Sequence, residues 1–171
     1  MSPSSSGREA LRSHVRQTQR LLSCVSHAVV VPARAVEPKS DWDLSFGSAG
    51  AAVTINTRGP RLRVRFGQRV QVFEPAVNAS MAGVTHYRYG VSSDSDAEIL
   101  AFHLHPGKVS VAAPHLHVSS GAGTLIAELQ RAHIPTGVVT LAAFVRFLVV
   151  DFGARPLRPE WEAVLRVGPA T

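Results

Sequence analysis

His103-Leu104-His105 and His115-Leu116-His117 are identical triplets whose starts lie twelve residues apart, so four of the eight histidines fall within fifteen positions. In an extended strand, alternate side chains share a face. Both imidazoles of a triplet then point one way, and Leu104 and Leu116 point toward the core. If the two segments are sheet neighbours, four imidazoles gather on one surface. A tight turn at Pro106-Gly107 would instead pair His105 with Lys108 and leave His115 and His117 beyond the first strand. Gathered imidazoles admit three chemistries. Neutral imidazole ligates zinc, nickel or iron, which makes His103, His105, His115 and His117 candidate ligands of a divalent metal. The same four can form an acid-base centre for metal-independent phosphodiester cleavage, one ring taking a ribose 2′-hydroxyl proton and another protonating the leaving 5′-oxygen. The third account is structural, with imidazoles bonded to neighbours on a half-exposed sheet. No run of Asp or Glu accompanies the triplets in sequence, which argues against a carboxylate-rich two-metal nuclease centre.

Phosphate recognition has its own candidates. Arg61, Arg63 and Arg65 alternate with Leu62, Val64 and Phe66, the pattern of a half-buried strand with three guanidinium groups outward. Arg58 and Arg69 flank it, giving five arginines in twelve residues without one acid. His86-Tyr87-Arg88-Tyr89 forms another alternating run, and Arg88 on the histidine face would bind a phosphate or an oxyanion. With Arg61, Arg63, Arg65 and Arg88 as nucleic-acid contacts, RNA becomes the expected partner.

These residues need a sheet and helices to position them. Residues 1–7, MSPSSSG, read as a disordered tail without the basic start and apolar core of a secretory signal. From Arg8 to about Val31, Leu11, Val15, Leu22 and Val25 recur near helical spacing, while Arg8, Arg12, Arg16 and Arg20 repeat every four residues on another face. A helix is expected within 8–35, with Pro32 and Pro38 opening a linker. That arginine stripe suits an acidic partner, a nucleic-acid backbone or plain solvation. Strands are expected across 44–118: Ala52–Thr57, Leu62–Phe66 with a break at Gly67, Val70–Phe73, Thr85–Val91, Glu98–His105, Lys108–Val111 and Pro114–Val118. Ser92–Asp96 reads as a turn, and Ser119–Gly123 as the end of the sheet. Helices are expected over 124–166: one from Thr124 through His133, one capped by Thr140 and carrying Leu141, Phe144, Val145, Leu148 and Phe152, and a short one opened by Pro159. Strands followed by helices without alternation predict a single α+β domain over 8–171, an antiparallel meander with the helices packed on one face.

Composition sets limits on this reading. With 171 residues, 45% hydrophobic, the chain is long enough for a core without staples. The lone Cys24 excludes an internal disulfide and a multi-cysteine zinc motif, and a reducing cytoplasm is the expected setting. Val138–Val150 is too short and is interrupted by Arg146, so no membrane span is expected against the roughly 18–20 apolar residues a crossing needs. The formal charge of +6 rests on 16 arginines and two lysines, which suits an RNA or DNA partner and equally a G+C-rich coding sequence.

The order His86-Tyr87-Arg88-Tyr89, polar turn, apolar strand Glu98–Phe102, proline-bearing turn, Pro114-His115-Leu116-His117-Val118 and closing helix resembles the TumE-type toxins of bacterial toxin-antitoxin pairs over about residues 85–150. The resemblance implies a cytoplasmic toxin acting on RNA, neutralised by an antitoxin protein, with His115 and His117 matched most directly. Two departures stand out. Family members often carry an acidic residue where this chain has His103 and His105, and they lack its N-terminal helix and its tail at 155–171.

Overall fold

The computed structural model describes residues 5–35, 41–47, 50–76, 79–106, 112–123 and 132–166. Helix α1 (Ser5–Leu22) buries Leu11, Leu21 and Leu22 and turns Arg8, Arg12, Arg16 and Arg20 to solvent, as the fourfold spacing requires. It starts earlier and ends earlier than expected. Residues 5–7 are helical rather than part of a tail, and the chain turns at Ser23–Val25, where the Ser23 hydroxyl donates to the Arg20 carbonyl. The remainder of the expected helix is strand β1 (Val30–Arg34), so Pro32 sits inside an edge strand and opens no linker. Gln19 fixes the crossover. Its amide donates to the Ala28 carbonyl, and its carbonyl accepts the Val30 N–H.

The other strands are β2 (Trp42–Phe46), β3 (Val53–Ile55), β4 (Leu62–Ala76), β5 (Ala79–Ser93), β6 (Glu98–Leu104), β7 (His115–Val118) and β8 (Ile134–Pro135). They form one antiparallel sheet in the order β1-β2-β4-β5-β6-β7-β8, with β3 beside β4 at the end that β2 leaves open. This is the α+β meander read from the sequence, widened at both margins. Two expected breaks are absent. Gly67 does not interrupt β4, because it pairs with Arg88 in ordinary register. Residues 79–84 extend β5 well before Thr85, with irregular pairing beside Arg69. The sheet also continues past Ser119–Gly123 to β8, and residues 132–133, where the end of a helix is expected, are not helical. Lys108–Val111 and most of the helix expected from Thr124 lie outside the described residues.

Helix α2 (Leu141–Val150) starts as expected, Thr140 Oγ1 accepting the Ala143 N–H, and buries Leu141, Phe144, Val145, Leu148 and Val149. Phe152 falls beyond its end, edge-on to Phe147 at 5.1 Å between ring centroids. Gly153, at φ +66°, lets the chain leave the helix in the left-handed region. Helix α3 (Trp161–Arg166) closes the described chain.

The three described helices contribute to the same buried cluster as the inward residues of the sheet. Tyr89 is its hub. Its ring stacks on Tyr87 at 4.7 Å and on Phe144 at 5.2 Å, and Phe102 meets Phe144 edge-on at 6.3 Å. Since Phe102 faces helix α2, strand alternation sends His103 to the opposite face.

Candidate metal centre

The register decides whether the two triplets meet. His103 pairs directly with His115, and Ala101 with His117, so β6 and β7 lie side by side with all four imidazoles on the face opposite Phe102 and helix α2. The register places the second triplet alongside the first, and residues 107–111, which include Gly107 and Lys108 of the expected tight turn, lie outside the described residues. From the His103 ring centroid, His105 lies at 5.0 Å, His117 at 4.9 Å and His115 at 5.6 Å. A fifth imidazole joins them. His133, just ahead of β8, stands 4.4 Å from His117 and 5.1 Å from His115. The sequence alone suggests a helix from Thr124 through His133, which leaves His133 out of the cluster. The signal against that assignment was local: Ile134-Pro135-Thr136 directly follows, an extended β-branched and proline stretch unsuited to a helix interior.

Among the described residues, two groups have donor atoms near enough for a single ion: His103, His105 and His115, and His115, His117 and His133, each with one nitrogen per residue within 4.8 Å of the others. His115 belongs to both, and it is the most firmly held. Only 2% of it is exposed, and its Nδ1–H donates to the Ala113 carbonyl at 2.8 Å, which leaves Nε2 as the lone-pair nitrogen. A ligand imidazole is commonly oriented by such a second bond. His105 Nε2 and His103 Nδ1 lie 3.3 Å apart, within hydrogen-bond distance. His103 Nε2 is buried without a protein partner, a costly state for a polar atom that a bound cation would relieve.

Electrostatics favours neutral rings. Burial, then the positive charge of Arg88, then His117, His105 and His115 hold His103 down to about 3. Burial, followed by His133 and His115, also lowers His117, against an opposing pull from Glu98. Both shifts favour the neutral ring, which offers a lone pair.

The arginines are differently placed. Arg88 pairs in register with His103 and so borders the cluster, with its guanidinium on the Glu98 carboxylate, which also accepts from Ser119 Oγ. Gly121 makes that approach feasible, because a Cβ there would lie 2.5 Å from the Glu98 carbonyl oxygen. Arg61, Arg63 and Arg65 stand toward the β5–β6 turn, Arg61 3.1 Å from Asp94 and Arg63 and Arg65 3.4 and 3.9 Å from Asp96. Arg69 grips Asp43 with two hydrogen bonds. The arginine run 58–69, which carries no acid in sequence, therefore meets carboxylates from neighbouring segments. A phosphate would have to compete with them, although pairs this exposed are individually weak.

Comparison of the chain with protein-family models, curated proteins and solved structures finds no match.

Proposed function

We propose that this protein binds one divalent transition-metal ion through the histidine cluster. The observation that carries the reading is the convergence of five imidazoles on two strands and the start of a third, with His115 common to both candidate ligand sets. Three nitrogens leave a fourth tetrahedral position for water or a substrate oxygen, and all-nitrogen donors suit zinc, nickel or copper better than magnesium or calcium. Because the Nδ1 of His115 is committed to Ala113, that ring has one nitrogen to give. The two sets then overlap as alternatives around a single ion. Elemental analysis of tag-free protein, incubated with zinc or nickel and dialysed, tests this. One equivalent per chain is expected; a ratio near zero for both metals overturns it.

A second reading, favoured by Arg88 standing beside His103, is action on RNA as a TumE-like toxin held in check by an antitoxin. On that reading Arg88 contacts the phosphate and the histidine cluster carries the chemistry. Incubation of RNA with the protein, with and without chelator, separates the metal-dependent from the metal-independent form. Absence of cleavage in both, together with unaltered toxicity of His115→Ala/His117→Ala protein, removes this reading.

A further inference from the structure

A cavity of about 690 Å³ lies on the other face of the sheet, between α1, β4, β5 and the segment entering α2. Ligand pockets fall on the order of 300–1,000 Å³, apolar with a few placed polar groups. The walls here are Leu21, Val84, Leu104 and Leu141, and among the described residues no Arg, Lys, Asp or Glu lines the cavity. Three of its polar groups are linked. Gln68 donates to the Tyr89 hydroxyl at 2.6 Å, and its carbonyl lies 3.4 Å from His14 Nε2. The Tyr87 hydroxyl accepts the Val139 N–H at 3.0 Å and keeps its own proton to donate. Burial lowers the His14 pKa, so the imidazole is neutral in the folded protein at neutral pH.

The rim departs from an ordinary soluble surface. Six large apolar side chains are exposed among the described residues, and three of them, Phe73, Met81 and Val138, line this cavity at 44%, 54% and 60% exposure. Apolar exposure concentrated at a concave site marks a ligand entrance more than chance scatter. Gly83 belongs to the same feature. The Phe73 ring lies across it, and a Cβ there would come within 3.0 Å of Phe73 Cε1.

We infer that this cavity binds a neutral, predominantly apolar small molecule whose single hydrogen-bonding group reaches Gln68 and His14. The absence of a lining charge disfavours carboxylates, phosphates and amines, whose desolvation would go uncompensated. The site is separate from the histidine cluster: Leu104 lines the cavity, and its neighbours His103 and His105 point away from it.

Fluorescence titration of the full chain with the neutral dye N-phenyl-1-naphthylamine, against the anionic 8-anilinonaphthalene-1-sulfonate, tests the inference. Saturable one-to-one binding of the neutral dye is expected, at least tenfold tighter than that of the sulfonate and unaffected by excess chelator. Ala82→Phe and Ala142→Phe, which fill the cavity from two different elements, should each weaken it at least tenfold with unchanged far-ultraviolet circular dichroism. If either fails to fold, Met81→Ser on the exposed rim should still weaken binding severalfold. No saturable binding, equal affinity for the sulfonate, or unchanged affinity in the folded variants overturns the inference.

Discussion

His115 offers the sharpest test of the metal centre, because the two ligand sets intersect there. Removing His105 disables one set and leaves His115, His117 and His133; removing His133 disables the other and leaves His103, His105 and His115. If the two sets hold an ion equally well, either single loss removes half of the available arrangements, and the affinity falls about twofold, on the order of 0.4 kcal/mol. His115→Ala disables both. Losing a group that merely orients a ligand costs about 10–100-fold in metal affinity, so loss of the shared ligand itself should exceed about 100-fold, roughly 2.7 kcal/mol. The expected order is therefore wild type, then His105→Ala and His133→Ala close behind, then His115→Ala far below. Competition titration of zinc against a chromophoric chelator at pH 7.5 measures all four proteins on one scale. Because His115 is buried, each variant's unfolding curve is recorded alongside. The reasoning is refuted if folded His115→Ala protein binds zinc as tightly as the His133→Ala variant, which would place the ion elsewhere.

Three further outcomes are expected. Zinc at about 100 times its dissociation constant should stabilise the wild-type fold by roughly 2.7 kcal/mol, a rise in Tm of about 5–11 °C for a chain this size, and a chelator should reverse it; calorimetry reads both. Phe144→Ala removes a fully buried ring packed on Tyr89 and Phe102 and should cost about 3–5 kcal/mol in urea unfolding, with a cost near zero ruling out the placement of α2. Burial depresses the pKa of His14 below its ordinary 6.5, so just below pH 6.5 the unfolded chain binds a proton that the folded chain does not. Stability must then fall as pH drops through 6.5 toward the folded value. His14→Gln should flatten that slope in urea titrations from pH 7 to 5, and an unchanged slope would show that the ring is not buried as described.

The alternation of the sheet and the arginine spacing of α1 were legible because each rests on local periodicity. Leu62, Val64 and Phe66 against Arg61, Arg63 and Arg65 fixed a strand and its faces before any fold was known. What could not be read was partnership. Nothing local says that Asp94 and Asp96 return to Arg61, Arg63 and Arg65, since the ion pairs depend on the register across the β5–β6 turn. Punctuation also misled: Gly67 and Pro32 suggest breaks by residue type, yet tertiary pairing carries β4 and β1 straight through them. The candidate site was four-fifths visible. His133 was hidden because β8 is only two residues long, too short for alternation to register.

The prolines of the two outermost strands bear on how this protein can assemble. Gly47 donates to the Val29 carbonyl and Ala35 to the Asp41 carbonyl, so the even-numbered residues of β1 direct their backbone outward. Of these, Val30 has its N–H taken by Gln19, and Pro32 has none to give. At the far margin, Thr136 donates to the Pro114 carbonyl, which turns Pro135 outward in the same way. Each margin thus presents a proline where an incoming strand would look for a donor. Edge-to-edge joining of copies into a continuous sheet is disfavoured from both sides.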